Sequence, residues 1–128
     1  MDSSKPATEF TRRAIEQMAA TFPMEDRRDF DDATRGFVGR AEQRRILAED
    51  GRVVWDLDAY AFMRDAPAPD TANPGLWRQG SLLIEDGLFE VVPGIYQLRG
   101  FALSVMSVVE GDTGVIVIDP LISTETAA

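Results

Sequence analysis

Phe89–Pro120, FEVVPGIYQLRGFALSVMSVVEGDTGVIVIDP, decides the fold class. Leu88–Val92 and Ile95–Arg99 are β-prone segments joined across Pro93-Gly94, a turn pair. Val105–Glu110 and Val115–Asp119 are two more, joined by Gly111-Asp112-Thr113-Gly114. Gly and Asp are the residues with which a tight hairpin reaches positive φ, so this loop predicts a hairpin with left-handed residues. The last strand, VIVID, lacks polar alternation, and such a run suits a strand covered on both faces. Pro120 stops it, and Ser123, Thr124 and Glu125 read as a helix cap with an acidic first turn. A helix begun six residues before Ala128 is too short to bury a face or offset its nucleation cost. The sequence therefore reads as the front part of something larger, cut just after a central strand.

Outward from that stretch, the chain is less regular. Phe10, Ala14, Ile15, Met18 and Ala19 recur at spacings of three and four, predicting an amphipathic helix over Thr8–Thr21 with Thr8 or Thr11 as its cap. Residues 1 to about 8 are polar and expected to be loose. In Glu25–Arg45, charges of both signs surround Phe30, Phe37 and Val38, and Gly36 and Gly39 weaken a continuous helix, so short helical turns are expected. Ala41–Ala48 predicts a further turn with Ile46 and Leu47 inward. Gly51–Tyr60 alternates in part, with Val53, Trp55 and Leu57 opposite Asp56 and Asp58, the pattern of a strand or extended arm. Ala66–Pro74 holds three of the seven prolines and no periodicity, predicting an ordered loop or extended arm. The domain division is then a helical arm over 1–48, an extended connector over 49–80 and a sheet-forming unit over 81–128.

Composition narrows the function. At 128 residues and 45% apolar, the chain is one small domain or a portion of a larger one, and is not generally disordered. A net charge of −9 argues against nucleic acid as a partner, because phosphate contact needs clustered Lys and Arg. Eleven of the 13 basic residues lie in the first half, so the second half carries most of the net negative charge. No cysteine and no histidine are present, which removes thiolate chemistry, Cys- or His-based zinc sites and every Ser-His or Cys-His arrangement within these residues. The start has no apolar leader and no run approaches a membrane span, so a cytoplasmic protein is expected.

The candidate chemical groups each have a plainer reading. Asp26, Asp29, Asp31 and Asp32 have the wrong spacing for a calcium loop and lie among Arg27, Arg28 and Arg35, as a solvated ion-paired surface does. Asp56 and Asp58 share a strand face without implying catalysis. Gly111–Gly114 lacks the spacing of a phosphate cradle. Trp55, Trp77, Phe89, Phe101 and Tyr96 line either a core or a lipophilic pocket. Asp119 stands out: an acid at the C-terminal end of a buried strand sits where α/β folds place their chemistry, as a site-supporting or loop-capping group.

EGDTGVIVIDPLIS (110–123) resembles the opening of the metallo-β-lactamase superfamily fold. More specifically, KPATEFT, DFDDATRGFVG, VVWDLDAY, APDTANPGLWRQG and GLFEVVPGIYQLRGFALSVMSVVEGDTGVIVIDPLIS together resemble the N-terminal portion of the linear alkylsulfatases, zinc-dependent enzymes that hydrolyse sulfate esters such as dodecyl sulfate. The resemblance implies an α+β fold: an irregular helical arm and connector leading into the first antiparallel strands of an αββα sandwich, here incomplete. It implies a homodimeric parent with two zinc ions held mainly by an HxHxDH motif beyond the last residue here, so no metal ligand and no catalytic residue carries over. Only Asp119 maps onto a superfamily motif, as a residue behind the metal ligands that supports their loop. The family's dimerisation helices and its sterol-carrier-like domain, which is thought to receive the alkyl chain, have no counterpart in these residues. By this reading the chain alone is inactive and poorly packed. The alternatives are a non-catalytic subunit-contact segment, with the Pro- and Trp-containing stretch 49–80 wrapping a partner, or part of another hydrolase of the same superfamily.

Overall fold

The structure, a computed structural model, describes residues 5–128. Its centre is an antiparallel meander. β4 (Gly87–Val92), β5 (Ile95–Arg99), β6 (Met106–Glu110) and β7 (Val115–Ile118) follow one another in chain order, each pairing with the next. These are the four strands read from the sequence. Pro93-Gly94 makes the first turn, with Gly94 at φ +81°, the left-handed region that a side chain resists. The Gly111–Gly114 hairpin corrects an expectation: neither glycine has positive φ, and the turn closes through the Gly111 amide donating to the Gly114 carbonyl at 2.8 Å.

The fifth strand corrects another. Phe37–Gly39, expected as helical turns, forms β1 and pairs antiparallel with β4, giving the order β1-β4-β5-β6-β7. Gly36 permits this approach. It sits at φ +72°, and a Cβ there would stand 2.0 Å from the Glu90 carbonyl oxygen. The glycine read as a helix weakener is thus the entry to a strand. Phe37 then meets Phe89 edge-to-face, ring centroids 5.5 Å apart.

Ala41–Ala48 is also not a helical turn. Arg45–Leu47 (β2) and Val53–Asp56 (β3) form a separate two-stranded hairpin in which Leu47 is exposed rather than inward. The stretch expected to be extended, 49–80, holds β3, a 3₁₀ turn at Ala61–Met63 and most of a helix, α3 (Pro74–Leu83). The start signal of α3 is local: the Asn73 side chain accepts from the Gly75 and Leu76 amides at 2.9 and 3.2 Å, and Pro74 follows at the first helical position. Trp77 donates to the Ala66 carbonyl at 2.9 Å, holding the preceding proline-rich loop to the helix.

α1 (Glu9–Ala19) is the helix expected, capped by Thr8, whose hydroxyl oxygen accepts from the Thr11 amide at 3.1 Å. It lies against α3, yet Phe10 and Met18 of its apolar stripe stay exposed. Residues 1–4 of the segment expected to be loose lie outside the described residues, and Ala7 of the same segment is buried. α2 (Arg28–Thr34) is held to α3 by Arg78, which donates to Asp29 with Nη2–Oδ1 at 2.6 Å. α4 (Thr124–Ala127) is capped by Ser123 as read, but it does bury something: Thr126 is 4% exposed, and α4 contacts β2 and β3.

The core is thin. The buried apolar residues among those described are Ala7, Phe89, Ala102 and Met106, and Phe89 alone is large. β7 is an edge strand with all four residues exposed, so the cover on both faces that its composition predicts is not supplied by these residues.

Candidate functional site

Asp119, the residue the sequence singles out, lies where β7 runs out. Asp119 adopts φ +53° and Leu121 φ +71°, on either side of Pro120. Left-handed backbone at a branched residue such as Leu121 is costly and persists where surrounding structure enforces it. One tie is visible. Ser104, on the loop between β5 and β6, donates its hydroxyl to Asp119 Oδ1 at 3.2 Å. Ser123 caps α4 just beyond, accepting from the Thr126 amide at 3.2 Å. Hydrogen bonds from the Glu125 amide and, second, the Ser123 hydroxyl hold the Glu125 carboxyl below the ordinary range. Asp119 is exposed and its carboxylate accepts one hydrogen bond. Among the described residues no group of three or more metal-binding side chains gathers around it.

The loop that carries Ser104 also walls an apolar cleft of about 670 Å³. Val53, Trp55 and Leu57 of the β3 region form one side, Met63 and Leu82 another, and Ala102 and Val105 a third. Trp55 is oriented by donating its indole N–H to the Gly100 carbonyl at 2.6 Å. Gly100 itself is at φ +85°, where a Cβ would come 2.6 Å from that of Asp86. Of the five aromatics named as core or pocket, Trp55 lines this cleft, while Phe89 is core.

Along the cleft, which Glu85 and Asp86 also line, charge is tightly paired. Asp86 is 2% exposed and receives a two-pronged bond from Arg44, Nη1–Oδ2 at 2.6 Å and Nη2–Oδ1 at 2.8 Å. The same guanidinium reaches Asp58 Oδ1 through Nη2 at 2.9 Å and Nε at 3.1 Å. These bonds push Arg44 up from its ordinary value, Asp86 contributing most, and hold Asp58 down. Arg40 joins through Glu85 at 2.9 Å. Asp56 and Asp58 are thereby both ion-paired, Asp56 with Arg45 at 3.0 Å, and they do not share the strand face expected of them, because Asp58 lies in the turn after β3. Sequence alone gives no signal for the 42-residue link between Arg44 and Asp86.

The acidic cluster behaves as the sequence implied. Asp26 pairs with Arg28, Asp29 with Arg78 and Asp32 with Arg35. The Arg28 side chain, with its amide, holds the Asp26 carboxyl down at about 2. No group of three or more acids suited to a metal ion occurs among the described residues.

No family model matches the chain. Curated relatives do. Over 98% of its length the chain is 44% identical to a linear primary-alkylsulfatase of Pseudomonas sp., and over 91% it is 43% identical to the alkyl/aryl-sulfatase BDS1 of Saccharomyces cerevisiae. Among solved structures, a stereoselective inverting sec-alkylsulfatase of Pseudomonas sp. superposes with a TM-score of 0.88 at 42% identity over 98% of the chain. The likeness is to the alkylsulfatases. It extends through helices, hairpin and sheet alike, so the α+β fold with its five-stranded antiparallel sheet is the alkylsulfatase arrangement of these residues. The chain spans only about a fifth of each relative's length: 19%, 18% and 20% respectively. The family resemblance read from the sequence is therefore borne out.

Proposed function

We propose that this chain is the N-terminal segment of an alkylsulfatase, an enzyme that cleaves alkyl sulfate esters such as dodecyl sulfate to an alcohol and sulfate. The observation carrying this is the unbroken likeness to alkylsulfatases, 42–44% identity over nearly every residue together with a TM-score of 0.88. In this reading the sheet is the beginning of a metallo-β-lactamase sandwich. Asp119, tied to Ser104, supports the neighbouring loop without touching substrate.

A dinuclear zinc centre belongs to the reading but not to these residues. The chain has no histidine and no cysteine, and its described acids form no metal-holding group. This donor set does not fit zinc, so the ions would be held by the rest of the enzyme, and the 128-residue chain alone is inactive. The test is a chimera in which the chain replaces the matching segment of the Pseudomonas linear primary-alkylsulfatase, assayed by sulfate released from dodecyl sulfate. Turnover within about 100-fold of the parent enzyme is expected, since effects carried only through supporting residues are about 10- to 100-fold. A folded chimera releasing no sulfate refutes the proposal.

A subunit contact over 49–80 is a second reading. It is favoured by Tyr60 and Phe62, 63% and 64% exposed and stacked towards Trp77 with ring centroids 6.2 and 6.1 Å apart in turn. Sedimentation of the chimera with Tyr60→Ser and Phe62→Ser measures it. A homodimer unaffected by both changes removes the contact from this segment.

A further inference from the structure

The cleft between the β2–β3 hairpin, α3 and the β5–β6 loop differs in kind from an open apolar face. Trp55, Leu57, Met63, Leu82 and Ile84 are half-buried around it and Ala102 is buried, enclosing a concavity of about 670 Å³. Small-molecule sites have this form, a hollow of about 300–1,000 Å³ with apolar walls and few polar groups. The walls are fixed from within the chain. The Trp55 indole is held by the Gly100 carbonyl, and the Met63 methyl rests on Gly80 of α3, where a Cβ would come within 2.5 Å of it. Methionine is the side chain best able to adapt its shape to a neighbouring hydrocarbon.

The polar groups of the lining narrow the occupant further. The Trp55 indole N–H and the Ser104 hydroxyl are already engaged, with Gly100 and Asp119, so what they leave to an occupant is apolar surface. Charge then selects among apolar molecules. The chain as a whole carries −9, yet the carboxylates at the cleft are neutralised: Asp56 by Arg45, Glu85 by Arg40 and Arg64, and Asp86 by Arg44. Arg99, which also lines the cleft, pairs with no carboxylate among the described residues. Its Nε donates to Gln97 Oε1 at 3.0 Å and its Nη1 to the Ala33 carbonyl at 3.2 Å. The lining and its ion-pair partners thus hold one uncompensated positive charge, a field that favours an anion over a cation.

We propose that this cleft holds the unbranched alkyl tail of a single-chain anionic amphiphile. Under the alkylsulfatase reading, on which this assignment of the ligand rests, the tail is that of the alkyl sulfate substrate. The β5–β6 loop then has two roles: Ala102 and Val105 contact the tail, while Ser104 between them holds Asp119. Each methylene that enters the cleft should tighten binding about fourfold.

The test uses the chimera with the Pseudomonas linear primary-alkylsulfatase and alkyl sulfates kept below their micellar concentrations. Between hexyl and octyl sulfate, KM should fall about fourfold per methylene. Val105→Trp fills the cleft from an exposed position and should raise the octyl sulfate KM at least about tenfold, as the loss of two or more methylene contacts would. The loss should appear in KM rather than kcat, as for a contact made equally in the ground and transition states. Gly80→Ala, which a helix tolerates because alanine is the better helix former, displaces the Met63 methyl and should raise the same KM about fourfold. A decane-1-sulfonate carrying a photoreactive diazirine at its tail end has no ester to lose. On illumination it should label Met63, Leu82 or Val105, read by mass spectrometry. The proposal is overturned by an active chimera whose octyl sulfate KM is indifferent to both changes, or by labelling confined to residues outside the cleft. A chimera that is labelled in the cleft but releases no sulfate supports the binding site and counts against the sulfatase reading alone.

Discussion

β4 and β7 belong to one sheet, and both are rich in β-branched and aromatic residues, but their surroundings differ completely. β4 lies between β1 and β5, and its Phe89 is 1% exposed under the Phe37 ring and the Arg99 guanidinium, which stands 4.3 Å from the ring centroid. Burial of the Arg99 guanidinium itself holds its pKa below the ordinary value. β7, the more apolar of the two, is left exposed by the described residues. Composition reports how apolar a strand's environment should be. It does not report which part of the polypeptide provides that environment. The contrast explains how the chain keeps the relatives' fold while showing so small a core.

The largest effect should come from the covered side. Phe89→Ala removes the one large, fully buried side chain and should cost about 4 kcal/mol, as large-to-small core changes do. Hydrogen exchange of the chimera would show this as lost protection across β4 and β5. Retained protection would mean that the core lies elsewhere. Next, Arg44→Ala leaves the Asp86 carboxylate buried with only the more distant Arg40 at 3.8 Å, and should cost about 3 kcal/mol in the same measurement. Gly36→Ala meets both the left-handed φ and the Glu90 carbonyl, and about 2 kcal/mol is expected, confined to the β1–β4 pairing.

On the uncovered side the effects shrink. In the isolated chain Ile116→Thr should change stability by less than about 0.5 kcal/mol, because an exposed side chain has little packing to lose. An isolated chain destabilised as much by this change as by Phe89→Ala would break the contrast. The smallest effect is electrostatic. With its folded pKa depressed to about 2 from an ordinary 3.8, Asp26 contributes stability above pH 3.8, and that contribution is lost as pH falls towards 2. A carboxyl NMR titration giving 3.8 would show that the Arg28 pairing is absent in solution.

Legibility followed the range of the interactions. The meander was readable because each of its strands pairs with the next in sequence and each carries its own apolar signature. The caps of α1 and α4 were readable because a Thr or Ser hydroxyl meets an amide three residues on. β1 was not: three residues that follow one glycine and end in another have no local strand signal, and only β4, some fifty residues later, makes them one. α3 was missed for a different reason. Asn73-Pro74 is a local helix start, but the prolines before it suggested extended chain. At the candidate site the sequence singled out Asp119. The serine that holds it lies fifteen residues away on a loop with no pattern to announce it.

The sequence by itself determined the meander, the local charge pairs Asp26–Arg28 and Asp32–Arg35 of the acidic arm, the lack of histidine and cysteine, and the resemblance to alkylsulfatases. Those properties depend on residue identity and on neighbours a few positions apart. Tertiary structure alone decided that Phe37–Gly39 is a strand, that Arg44 neutralises Asp86, and that Ser104 holds Asp119. It also decided that VIVI stands open to solvent. Each of these depends on which distant segments come into contact, and burial, unlike propensity, is a property of the whole packed molecule.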